Sequence, residues 1–232
     1  MRMMECFILN TQTIYKNKMT LTVLVCVHST NDFYDNLLIE SLKSLEKQTY
    51  KDFKTLIVLD QCWNKTENRI KNEITIQYNI ISKNIKDGLS SAKNYGLSNI
   101  DTDLVCFLDA DDLYVENKLE KQIDYFINNN VDFLGTHALN RNLGSNNFFD
   151  SCFGINQYIE HDEIKFDIYN KNVLTHGSMM IKKQALDQLN GYNNIKGMED
   201  WDLWQRAFNN GFKFKQLPER LYVYTLNTSI DR

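Results

Sequence analysis

Apolar residues in this chain come in short continuous runs, and between the runs lie polar stretches whose few apolar residues recur at helical spacing. Residues 21–27 (Leu-Thr-Val-Leu-Val-Cys-Val) form a run rich in β-branched side chains, expected as a buried strand. After a polar loop at 28–32, residues 36–47 place Leu37, Leu38, Leu42 and Leu45 on one helical face. A second strand is expected at 54–59, ending at Asp60, then a polar helix at 64–72 and a third strand at 74–81. Residues 88–97 read as a helix and 104–108 as a fourth strand. Strands ending at 27, 59, 81 and 108 and alternating with helices predict an α/β fold. Its central sheet is expected to be mostly parallel, with helices on both faces.

The second half is less regular. Residues 116–128 carry Leu119, Ile123, Phe126 and Ile127 on one face, and Asn128-Asn129-Asn130 would end that helix. A strand is expected at 131–139. From 140 to 172 the periodicity dissolves, which reads equally well as a lid or as a plain insertion. Residues 173–181 resume as a strand interrupted by His176-Gly177-Ser178, and 183–189 as a short helix stopped by Gly191. Residues 199–210 place Trp201, Trp204, Ala207 and Phe208 on one helical face, with Gly211 at the C-terminal cap. One or two short strands are expected at 212–224, around the only proline, Pro218. No internal repeat and no linker interrupts this order, so one domain spanning 21–232 is expected after an N-terminal extension, 1–20.

Composition narrows the function. A chain of 232 residues can bury a sizeable core. With 26 basic against 30 acidic residues and no basic tract of five or more, nothing favours a nucleic-acid partner. The five cysteines, Cys6, Cys26, Cys62, Cys106 and Cys152, are scattered and odd in number, which argues against a disulfide framework and for a reducing compartment. Residues 1–20 lack the apolar length of a signal peptide, and no apolar run reaches about eighteen residues. A soluble, cytoplasmic protein is expected, with peripheral membrane contact left open.

The candidate chemistry concentrates in Leu104-Val105-Cys106-Phe107-Leu108-Asp109-Ala110-Asp111-Asp112-Leu113-Tyr114, an apolar run that ends in three carboxylates. Clustered carboxylates repel, and either gain protons or bind a cation. Mg²⁺ or Mn²⁺ suits such hard oxygen ligands and shares them with substrate phosphates. Ligands of open parallel sheets sit at the carboxyl ends of the strands, where this cluster falls. On the residues alone a helix cap by Asp111 or Asp112 is an alternative. A calcium loop through Asp109, Asp111 and Glu120 fits poorly, because Leu113 and Tyr114 stand where a ligand and a glycine belong. Phosphate-loop, dinucleotide-binding, zinc-protease and serine-hydrolase motifs are absent, and the four histidines lack metal-ligand spacing.

Several segments recur together in order: Val-Leu-Val-Cys-Val-His-Ser-Thr at 23–30, Ser41 to Tyr50, Leu59-Asp60, Ser90-Ser91-Ala92-Lys93-Asn94-Tyr95-Gly96, Leu108 to Asp112, His176 to Met180, and Glu199 to Arg206. Across 21–224 this series closely resembles the family 2 glycosyltransferases, inverting enzymes with a single-domain nucleotide-sugar-binding fold of the glycosyltransferase A type. The resemblance implies a nucleotide-binding part at about 21–115 and an acceptor-side part at about 116–232. It implies that His28 cradles the nucleotide base and that Asp60 accepts a hydrogen bond from it. Here Leu59 replaces the first acid of the usual pair, and Gln61-Cys62 replaces Gly-Ser. Lys93 and Asn94 are implied near the base and phosphates. Asp109, Ala110 and Asp111 match the Asp-x-Asp motif that holds Mn²⁺ or Mg²⁺ on the diphosphate, and Asp112 extends it. Asp200 matches the catalytic base, with Glu199 shaping its pKa or contacting the acceptor. His176 is implied in the donor-sugar or acceptor pocket, and Trp201 and Trp204 stack on an acceptor sugar or pack in the core. Tyr224 is followed by Thr225, where the family often has arginine.

The implied function is metal-dependent, inverting transfer from a nucleotide diphosphate sugar, UDP-sugar foremost, to a hydroxyl of a glycan, glycolipid or protein. The alternatives are an inactive carbohydrate- or nucleotide-binding relative and a nucleotidyltransferase. The loop at 28–32 lacks the glycines and bases the last would need.

Overall fold

A computed structural model describes residues 19–85, 87–145, 147–150 and 155–226. The extension expected at 1–20 therefore lies almost wholly outside the described residues, as do Cys6 and Cys152. The chain begins with β1 (Leu21–Val27), then α1 (Asp32–Glu46), whose N-terminus is capped by the Asn31 side chain accepting from the Phe33 and Tyr34 N–H groups. β2 (Lys54–Asp60), α2 (Thr66–Glu73), β3 (Asn79–Lys83), α3 (Leu89–Leu97) and β4 (Leu104–Phe107) complete the alternating half. There follow β5 (Leu113–Tyr114), α4 (Lys118–Asn128), β6 (Phe133–Asn142), β7 (Phe148–Asp150) and α5 (His161–Asp167). The chain closes with β8 (Met180–Lys182), α6 (Lys183–Gln188), α7 (Glu199–Asn209) and β9 (Phe214–Leu226).

The sheet runs in the order β3-β2-β1-β4-β8-β6-β9-β5, with β7 paired to β6. Its first four strands are parallel, as the alternating pattern requires. Beyond β4 the sheet becomes mixed, because β8 runs antiparallel to both β4 and β6 while β6 and β9 pair in parallel. Alternation along β1 divides the core in two. Val23, Val25 and Val27 face a layer with Leu38 and Leu42 of α1 and Ile123 of α4, while Leu24 faces a layer built on Ala92, Trp204 and Phe208. Helices thus cover both faces.

Four expected elements differ. The third strand begins at Asn79 rather than 74, since Ile74 is buried as the residue that closes α2, its N–H bonded to the Ile70 carbonyl. The strand at 131–139 continues to Asn142, and the 140–172 segment contains β7 and α5. Residues 176–178 form a 3₁₀ turn, leaving only Met180–Lys182 as strand. At 212–224 a single strand of 13 residues passes through Pro218. The register of β6 against β9 slips between Thr136 and Ala138, so the missing proline N–H falls at an irregularity. Cys26, Cys62 and Cys106 are unbridged. Burial pushes the Cys106 thiol up to about 11, so it behaves as a small apolar side chain.

Candidate active site

The carboxyl ends of β1 and β4 and the N-termini of α3 and α7 open onto one cleft of about 1180 Å³. The acidic segment after β4 forms a tight turn, closed by the Asp112 N–H donating to the Asp109 carbonyl at 3.1 Å. Asp109, Ala110 and Asp111 all border the cleft. Asp112 departs from the expectation of a metal ligand. Its side chain points back into the fold, the residue is 1% exposed, and its carboxylate accepts from the Tyr222 hydroxyl and the Thr225 N–H, each at 2.6 Å. Burial, then the charges of Asp111 and Asp109, push its pKa well above the usual carboxylate range. Among the described residues no three His, Cys, Asp or Glu side chains are grouped to hold a metal by themselves.

Across the cleft, α7 begins with Glu199 and Asp200, where its dipole favours negative charge. Glu199 is buried and forms an ion pair with Lys93 Nζ at 3.0 Å. Asp200 accepts from Asn172 Nδ2 at 2.9 Å and from the Trp201 N–H at 2.7 Å. Burial raises its pKa above 3.8, opposed by Lys93 and by the hydrogen bonds from Asn172 and Trp201. Asn172 ends the stretch that carried no periodicity, so no sequence signal marked it.

His28 lines the cleft, with Nδ1 2.7 Å from the Asp60 carbonyl oxygen. The Asp60 carboxylate lies at the end of β2, 8% exposed, and its Oδ1 has no hydrogen-bond partner among the described residues. His176 is buried beside the cleft, its Nε2 2.8 Å from the Tyr192 hydroxyl and its ring 4.6 Å from that of Phe107. Burial, with Lys93 adding, holds its pKa well below 6.5, so the imidazole is neutral.

Four other expected site residues do not border the cleft: Asp60, buried at the end of β2, and three more. Asn94 sits one position beyond Lys93, on a part of α3 that does not border the cleft. Its amide donates to the Tyr192 carbonyl and accepts from the Tyr192 N–H, both at 2.8 Å. That clamp needs Gly191, which has φ +65°, and a Cβ there would fall 2.3 Å from Asn94 Oδ1. Trp204 is fully buried, edge-on to Phe133 and Phe214. Trp201 is half-buried and its indole N–H donates to the Ile168 carbonyl. Neither tryptophan borders the cleft, because the apolar face of α7 is turned into the core. Residues not anticipated in the lining include Tyr34, Asp87, Asn194 and Lys196.

Residues 22–189 match the family model described as Glycosyl transferase family 2. The chain belongs to glycosyl transferase family 2. Residues 157–228 also match a model described as the N-terminal domain of galactosyltransferase. This family 2 glycosyltransferase is 27% identical over 212 residues to the O-antigen biosynthesis glycosyltransferase WbnJ of Escherichia coli, a match covering 89% of this chain and 80% of that protein. Its fold superposes on residues 1–349 of S. aureus TarS, solved in complex with UDP-GlcNAc, with a TM-score of 0.72 at 16% identity over 91% of this chain and 60% of that one. It also superposes on the mannosyltransferase PcManGT of Pyrobaculum calidifontis, solved with GDP-Man and Mn²⁺. There the TM-score is 0.67 at 15% identity, covering 91% of this chain and 58% of that one. The chain thus spans about three-fifths of those solved chains, and the likeness carries the glycosyltransferase A type fold. Among the described residues no helix is long and apolar enough to cross a membrane.

Proposed function

We propose that this glycosyltransferase moves a sugar from a nucleotide diphosphate donor, with UDP as the nucleotide, onto a hydroxyl of a glycan acceptor, with inversion at the anomeric carbon and dependence on a divalent metal. One observation carries the reading. Asp200 is a carboxylate whose pKa is raised by burial and whose orientation is held by Asn172 and the Trp201 N–H, and it borders the same cleft as Asp109 and Asp111.

In this reading the acceptor hydroxyl gives its proton to the Asp200 carboxylate as its oxygen bonds to the anomeric carbon. The glycosyl–phosphate bond breaks on the opposite face and its electron pair leaves with the diphosphate. A single displacement inverts the centre, so one base suffices where a glycosidase needs two carboxylates. A raised pKa suits the base, because it strengthens the carboxylate as a proton acceptor. The Lys93–Glu199 ion pair fixes the start of α7 and places a cation near Asp200. His28 lines the cleft with its Nδ1 2.7 Å from the Asp60 carbonyl oxygen, and in this reading it borders the base.

Asp109 and Asp111 offer hard oxygen donors that suit Mn²⁺ or Mg²⁺, and two carboxylates leave positions for phosphate oxygens. When bound, such a metal offsets the charge that develops on the departing diphosphate. The UDP-GlcNAc and Mn²⁺ complexes of the two structural neighbours support this donor chemistry, and the O-antigen role in WbnJ's name supports a glycan acceptor.

The decisive experiment is Asp200→Asn, assayed for sugar transfer and, separately, for UDP binding by calorimetry with Mn²⁺. Transfer is expected to fall by about 10²–10⁴-fold with UDP affinity nearly unchanged. Loss of both together, or of neither, would refute the assignment.

A further inference from the structure

The turn that carries Asp109 and Asp111 is held from behind by side chains of α1 and β9. Asp112 is the anchor. Its two carboxylate oxygens take the Tyr222 hydroxyl and the Thr225 N–H of β9, and its carbonyl takes the Ser41 hydroxyl of α1, all at 2.6 Å. The Ser41 hydroxyl also lies 3.3 Å from the Asp109 carbonyl, so the turn is gripped at both ends. Tyr222 is fully buried, and its oxygen lies 3.5 Å from Asp109 Oδ2. Of its two contacts the shorter, 2.6 Å against 3.5 Å, ties the phenol to Asp112, and Asp109 stands beside that bond.

The site of Tyr222 depends on Gly177, in the His-Gly-Ser segment singled out in the sequence. A Cβ at 177 would lie 1.9 Å from the Tyr222 oxygen and 2.3 Å from its Cζ, so no other residue fits without displacing the ring.

We infer that Gly177, Tyr222 and Asp112 form a strut whose function is to position Asp109 and Asp111 for a divalent cation shared with the donor diphosphate. The inference rests on the metal reading proposed above. In this reading Tyr222 and Asp112 are positioning residues that act through the turn. Groups that orient ligands from behind in this way commonly control metal affinity.

The test measures Mn²⁺ affinity by electron paramagnetic resonance, at saturating UDP, in wild type, Tyr222→Phe and Asp112→Asn, with near-UV circular dichroism to check the fold. Tyr222→Phe keeps the ring and removes the hydroxyl. Asp112→Asn keeps the size of the side chain but replaces the carboxylate that the Tyr222 hydroxyl and the Thr225 N–H grip. Both variants are expected to bind Mn²⁺ about 10–100-fold more weakly, while UDP binding in chelator stays unchanged. Wild-type Mn²⁺ affinity in both folded variants would overturn the strut and leave the metal reading standing. Failure of wild type to bind Mn²⁺ with UDP would instead refute the metal reading, and the strut with it. If Tyr222→Phe fails to fold, Asp112→Asn decides the matter alone.

Discussion

Lys93 offers the sharpest test of how charge is arranged under this cleft. Its Nζ lies 3.0 Å from Glu199 Oε1, and the two side chains are only 5% and 10% exposed. Its stem runs beside the Tyr192 ring, with Nζ 5.1 Å from the ring centre. Lys93→Met keeps most of the apolar contact and removes the charge, leaving Glu199 buried without its cation. Such a loss costs about 3–5 kcal/mol. For a domain of this size each kcal/mol is worth about 2–4 °C, so the melting temperature should fall by roughly 6–20 °C. The double variant Lys93→Met/Glu199→Gln removes both charges and should recover a large part of that loss, because the uncompensated carboxylate is what is unfavourable. Urea and thermal denaturation followed by circular dichroism give both numbers. Lys93 also lowers the Asp200 pKa, so its removal should move the acid limb of the transfer rate to higher pH. A Lys93→Met protein as stable as wild type, or a double variant as unstable as the sum of its parts, would refute the argument.

Four further outcomes follow from the geometry. In the proposed mechanism the Asp200 carboxylate is needed ionised, and its pKa is raised, so the acid limb of wild-type turnover should lie above pH 3.8, read from a pH–rate profile. Trp204→Ala should cost about 3–5 kcal/mol in urea unfolding while leaving UDP affinity intact, because this fully buried ring does not border the cleft. Removing divalent cations with a chelator should stop transfer, and added Mn²⁺ should restore it, as measured by UDP release. Lys118 is pulled down to about 8 by burial, below the 10.5 of the unfolded chain. Unfolding therefore takes up a proton between those values, and this lysine's contribution to stability rises across that window. The difference in unfolding free energy between wild type and Lys118→Met should shift in favour of wild type as pH climbs from about 8.

The first half of the chain was legible where its strands are buried on both faces, as β1, β2 and β4 are; β3, a half-exposed edge strand, was placed five residues too early. Leu21–Val27 matches the expected limits, and the acidic end of β4 opens onto the cleft as the sheet's direction implies. The second half was not, because β8 is three residues long and gains its place by pairing antiparallel with two strands distant in sequence. Side-chain direction was harder still. Asp112 reads like its neighbours, and only the turn reveals that it faces Tyr222. Lys118 reads as a surface residue, yet it is fully buried, with Nζ 2.6 Å from Gln122 Oε1 and 4.1 Å from the centre of the Tyr114 ring. Asn94 and the two tryptophans carry the right chemistry for a sugar site but are spent on the Tyr192 clamp, the Ile168 carbonyl and the core.

The link between Asp112 and β9 joins residues more than a hundred positions apart. During synthesis the parallel strands β1 to β4 leave the ribosome first and can pair without waiting for the rest. The turn at their mouth cannot be completed with them, since Tyr222 and Thr225 follow more than a hundred residues later. A nascent chain released before Phe214 would hold most of a nucleotide-binding sheet, with the acidic turn lacking its anchor. In the proposed reading, synthesis of β9 thus sets the moment at which the turn expected to hold the donor diphosphate gains its anchor.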